Sequence, residues 1–120
     1  MARQGRKRQK PTGPAPKAPN VDYRDQDGNV LTLRGSLTPG SRRQYADTLA
    51  GGLDREDAWH RATEYLFERL AVSWTIAGLA ITRQKELLGR YRMASADERR
   101  FVRDALRAHV REHFPELQAP

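Results

Sequence analysis

Cysteine is absent from the 120 residues. That single absence removes disulfides, thiolate zinc sites and a cysteine nucleophile, so any stability must come from packing. Long apolar runs are missing as well. The longest stretch of low polarity, Leu70 to Ile81, is 12 residues and includes Ser73, Thr75 and Gly78, against the roughly 20 needed to cross a bilayer. It reads as core material. Prolines rather than an apolar stretch follow the basic N-terminus, so the pattern of a secretion signal is not met. The chain is therefore expected to be soluble and cytoplasmic, with no membrane partner. Lysine is scarce, 4 against 18 arginines. That ratio fits selection for bidentate phosphate contacts and equally fits GC-rich codons, which take the larger share. The length suits one domain with one core.

What is present is charge, unevenly placed. The formal net charge is +7, and residues 1–20, with Arg3, Arg6, Lys7, Arg8, Lys10 and Lys17 and no acid, hold +6 of it. Residues 21–82 carry −2, residues 83–111 carry +5 and the last nine carry −2. Asymmetry of this kind governs encounter with polyanions rather than fold.

Residues 1–20 hold four of the seven prolines and no large apolar residue except Met1, a composition that cannot offset its ordering entropy and predicts a disordered basic tail. A single helical domain is predicted over 21–117. Asp27-Gly28 between strand-like segments predicts a β-hairpin over about 21–34 with a type I′ turn. A lone hairpin is marginal and needs support. The helices are the available support within the chain, though pairing with a partner's sheet stays open. Thr38-Pro39 opens a helix over about 39–50, where an N-cap hydroxyl precedes a proline at the first helical position. Asp54 caps a second helix, predicted over about 55–77 from the spacing of Trp59, Ala62, Leu66, Leu70, Trp74, Ala77 and Ile81, with Gly78 breaking it. Thr82 caps a third, over 83–92. Ser95-Ala-Asp-Glu98 matches the capping box and starts a fourth, over 96–113. The expected fold is mostly α: a small bundle of about four helices with an N-terminal hairpin.

Two strings bear on chemistry. His109-Val-Arg-Glu112-His113 has the H-x-x-E-H spacing and resembles the inverzincin metallopeptidases, which implies His109 and His113 as zinc ligands and Glu112 as base. No third ligand is indicated, and both histidines fall on the apolar side of the helix with Val102 and Leu106, so they read as imidazoles at the core margin. No nucleophile elbow, P-loop or dinucleotide fingerprint accompanies them. No catalytic residue, metal or cofactor is expected, and the chain reads as non-enzymatic. The second string is Arg100, Arg103, Arg107 and Arg111. Spaced three, four and four apart, they lie within about an 80° sector opposite the apolar face. Such a stripe suits a phosphate backbone, with Arg90, Arg92 and Arg99 broadening it; the alternative is a solvated face in which Asp104 pairs with Arg100 and Arg107.

Asp27-Gly28-Asn-Val-Leu-Thr-Leu-Arg34, a helical body and Trp74-Thr-Ile-Ala-Gly78 resemble in layout the small tail-assembly chaperones of tailed bacteriophages. The resemblance covers about residues 21–90 and implies a protein-binding, non-enzymatic domain. The residues themselves point first to accessory nucleic-acid binding without sequence readout, on DNA or RNA, with the tail supplying affinity and the stripe positioning. The alternative is a protein-interaction module or assembly chaperone whose partner is an acidic protein.

Overall fold

A computed structural model describes residues 18–52 and 54–120 of the chain. The element order is β1 (Val21–Arg24), β2 (Val30–Leu33), α1 (Pro39–Ala50), α2 (Arg55–Leu70), β3 (Ala71–Ile76), β4 (Leu79–Ile81), α3 (Gln84–Arg92) and α4 (Ala96–His113). The four strands form one antiparallel sheet in the order β1-β2-β3-β4. This is an α+β fold, and it overturns the expected mostly-α bundle.

The correction lies in residues 71–81. The helix predicted over 55–77 ends at Leu70, and the chain turns directly into β3. The three-and-four spacing that runs from Trp59 to Ile81 is shared by two different structures. Up to Leu70 it is the buried face of a helix; beyond it, Trp74 and Ile81 are cross-strand partners in register. Tyr23, Leu31, Trp74 and Ile81 form one row across all four strands, placing an apolar side chain from each on the core face. The N-terminal hairpin is thus supported twice, along its β2 edge by β3 and on its core face by the helices. One register shift between Thr32 and Leu33 sets Leu33 opposite Ala71. The shift leaves Val72 as the extra residue of a bulge.

The turns were also exchanged. Around Asp27-Gly28 only Gly28 has positive φ, at 82°, so the expected type I′ turn, which needs it at both central residues, is not formed. Instead the Asp25 carboxylate accepts the Asp27 and Asn29 amides, each at 2.9 Å, and closes a longer loop. Between β3 and β4, Ala77 (φ 52°) and Gly78 (φ 82°) do have that pair of left-handed conformations. Gly78 is a turn residue, not a helix breaker. Ala77 pays the steric cost of a Cβ in this region, and its amide donates to Asn29 Oδ1 at 3.0 Å, which ties the tips of the two hairpins together.

The helices start at local signals. Thr38 Oγ1 accepts the Ser41 amide, Asp54 accepts those of Glu56 and Asp57, and both bonds of the Ser95–Glu98 capping box are present. Helix α3 is the exception: its N-cap is Arg83, not Thr82, and has no side-chain cap bond. The core lies between the inward sheet face and the helices, with Leu66, Phe67, Leu70, Trp74, Leu106, Val110 and Phe114 all buried. Phe67 stacks on Tyr91 at 5.0 Å and meets Trp74 edge-on at 6.0 Å.

Candidate nucleic-acid interface

Arg3, Arg6, Lys7, Arg8, Lys10 and Lys17 lie outside the described residues. The four arginines predicted on the last helix are on α4, and they do not behave as one free stripe. Arg100 is 3.3 Å from Asp97, and their side chains are 66% and 91% exposed. Arg107 donates to the Pro120 carbonyl at 2.9 Å and lies 3.4 Å from Asp104. Exposed ion pairs of this kind contribute about 1 kcal/mol or less, so Arg100 is tethered weakly, whereas Arg107 is also held by its part-buried bond to the Pro120 carbonyl. Asp104 pairs with Arg107 alone. Arg103 stands over the Trp59 ring, 5.6 Å from its centroid. Arg111 is exposed and has no ion pair among the described residues.

The neighbouring arginines divide in the same way. Arg90 is committed: its guanidinium grips Glu98 through two bonds of 3.1 and 2.7 Å, both side chains largely covered. Hydrogen bonding from Arg90, then from the Ser95 amide, holds the Glu98 carboxyl below its ordinary value. Arg92 and Arg99 instead turn with Arg103 toward a cleft of about 290 Å³ between α2, α3 and α4, lined also by His60, Glu64 and Tyr91. Glu64 accepts from Arg92 through both Nε and Nη2, which raises the guanidinium above its ordinary value. Arg99 donates to the Arg92 carbonyl. Burial raises the Tyr91 phenol, and the Arg103 and Arg99 charges oppose the shift.

Sequence reasoning named Arg103 and placed Arg92 and Arg99 nearby, but it missed the cleft. His60 and Glu64 reach it from α2, some thirty or more residues before α4, and no local spacing couples them to α4. Arg103 leaves the stripe because Trp59, assigned to the core from its periodicity, is only half-buried and offers its ring face.

The H-x-x-E-H string has a different use. His109 is fully buried. Its Nε2 is 2.6 Å from the Arg34 carbonyl, and its Nδ1 is 2.8 Å from the Tyr23 hydroxyl. A carbonyl only accepts, so Nε2 carries the proton and Nδ1 accepts from Tyr23. With both nitrogens engaged, the ring has none left for a metal, and burial holds its pKa below the ordinary value. Among the described residues no cluster of three or more His, Cys, Asp or Glu is placed to hold a metal ion.

A second depression, about 810 Å³, runs between the end of α1, the start of α2 and residues 116–118. Leu49, Trp59 and Leu117 line it with Arg55, Glu56 and Glu116. One wall is fixed by Tyr45, whose hydroxyl donates to the Gln118 carbonyl at 2.6 Å and whose pKa burial pushes up to about 12. No helix among the described residues is long and apolar enough to cross a membrane. Comparisons with protein-family models, with curated proteins and with solved structures find no match.

Proposed function

We propose that this chain is a non-enzymatic, cytoplasmic accessory protein that binds DNA or RNA without sequence readout. The observation that carries the reading is the convergence of Arg92, Arg99 and Arg103 on one cleft with a single lining carboxylate, Glu64. The +6 segment at residues 1–20 adds affinity by counterion release; Arg100, whose exposed ion pair is weak enough to exchange for phosphate, and Arg111, with no ion pair among the described residues, extend the positive face along α4 beside Arg107.

Binding of the full chain to a fluorescent duplex, followed by anisotropy at increasing salt, tests this. If all six charges of the N-terminal segment engage duplex phosphates, the log–log slope is about −5, and deleting residues 1–20 removes most of the affinity. Negligible binding at low salt rejects the proposal. A second reading, a protein-interaction or assembly-chaperone module, is favoured by the 810 Å³ depression with Leu49, Trp59 and Leu117 on its walls; under it, an acidic protein rather than nucleic acid co-purifies.

A further inference from the structure

We infer that the cleft between α2, α3 and α4 receives the terminal phosphate of a nucleic-acid strand, an inference that rests on the nucleic-acid reading above. Three properties of the cleft select a chain end over a backbone track.

The first is size. A volume of about 290 Å³ sits at the lower edge of the range of small-molecule sites. It admits a phosphate with part of its sugar, not the face of a duplex. The second is charge. Three guanidiniums against Glu64 leave two uncompensated positive charges on the lining, the complement of a phosphomonoester dianion rather than of a diester, which carries one negative charge. Glu68 acts on Arg92 from the same helix as Glu64, and Glu56 lies 3.8 Å from His60, but neither lines the cleft.

The third is preorganisation. Each guanidinium is held by a contact that leaves other donors free: Arg92 by Glu64, Arg99 by the Arg92 carbonyl, Arg103 by the face of Trp59. A guanidinium has five N–H donors in a fixed fork, so the holding contacts orient it without exhausting it. Donors fixed before the ligand arrives lose little entropy on binding. Glu64 acts here as a positioning residue for Arg92.

The test uses the full chain and single-stranded oligonucleotides of one sequence carrying a 5′-phosphate, a 3′-phosphate or hydroxyls at both ends, at moderate salt. The end-phosphorylated strands are expected to bind about tenfold tighter than the hydroxyl strand, the gain of one to two charge-assisted hydrogen bonds, and comparison of the two phosphorylated arms assigns the end. Arg99→Gln, at an exposed position, is expected to abolish that preference, weakening the phosphorylated strands about tenfold more than the hydroxyl strand; Glu64→Gln, which frees Arg92, is expected to reduce it. Circular dichroism of each variant verifies the fold. Equal affinity for all three strands overturns the inference and leaves the nucleic-acid reading intact. No binding of any strand at low salt overturns both.

Discussion

His109 is fully buried and joins α4 to the N-terminal hairpin through Tyr23 and to the end of β2 through the Arg34 carbonyl. Replacing it tests how the helical layer is fastened to the sheet. In His109→Leu the apolar volume is roughly kept, but the Arg34 carbonyl and the Tyr23 hydroxyl each lose a partner. An unsatisfied buried polar group costs about 1–3 kcal/mol and a half-covered one less, and both bonds are only partly buried, so the variant is expected to be about 1–3 kcal/mol less stable at neutral pH. The pH dependence separates this from a packing defect. Burial depresses the His109 pKa in the folded state, so below the unfolded value near 6.5 the unfolded chain binds more protons and wild-type stability falls with pH. One such group contributes at most about 1.4 kcal/mol per pH unit. The loss levels off once the pH falls through the depressed folded-state value. His109→Leu lacks this proton, so the gap between the two proteins should narrow by about 1 kcal/mol between pH 7.5 and 5.5. Urea denaturation at the two pH values measures it. A gap that stays constant refutes a buried neutral imidazole at this position.

Two further outcomes concern single residues. Ala77 occupies a left-handed conformation at φ 52°, so Ala77→Gly is expected to raise stability by about 0.5–1 kcal/mol; a lower denaturation midpoint would mean that Gly's extra unfolded-state entropy outweighs the strain. Ser95→Ala removes the hydroxyl that accepts the Glu98 amide at 3.1 Å and is expected to cost about 0.5–2 kcal/mol, with accelerated amide exchange confined to the first turn of α4.

What the sequence disclosed was local. Thr38, Asp54 and Ser95 start helices through bonds that span two or three residues, so their partners can be named from the chain alone. The β3–β4 hairpin was hidden because its signals are faint. Ala-Gly is a poor type I′ dipeptide, and β4 is only three residues long. Leu70, Trp74, Ala77 and Ile81 continue the helical spacing of α2 by coincidence, while Val72, Thr75 and Ile76, which favour a strand, weigh less in a periodicity count. What forces the strand is pairing of Leu31 with Trp74 across the sheet, which spacing within one segment does not encode. The site followed the same rule. The α4 arginines were visible as a pattern, and their weak pairs are made with carboxylates three residues away on α4 itself; the aromatic perch of Arg103 and the cleft depend on α2 side chains far away in sequence.

The element order is two β-hairpins, each followed by two helices, and the halves of the sheet meet only at β2 and β3. The 37 residues between Leu33 and Ala71 must therefore close as one loop before the sheet is whole. Each hairpin forms from neighbours, but this seam joins distant parts of the chain and is the slow step by contact order. Closure entropy grows only with the logarithm of loop length. Ten extra residues at Gly51-Gly52 would cost about 0.2 kcal/mol, so the helical hairpin on this seam can lengthen over evolutionary time with almost no thermodynamic consequence, whereas trimming a paired residue such as Trp74 from β3 would shift its register against both neighbours.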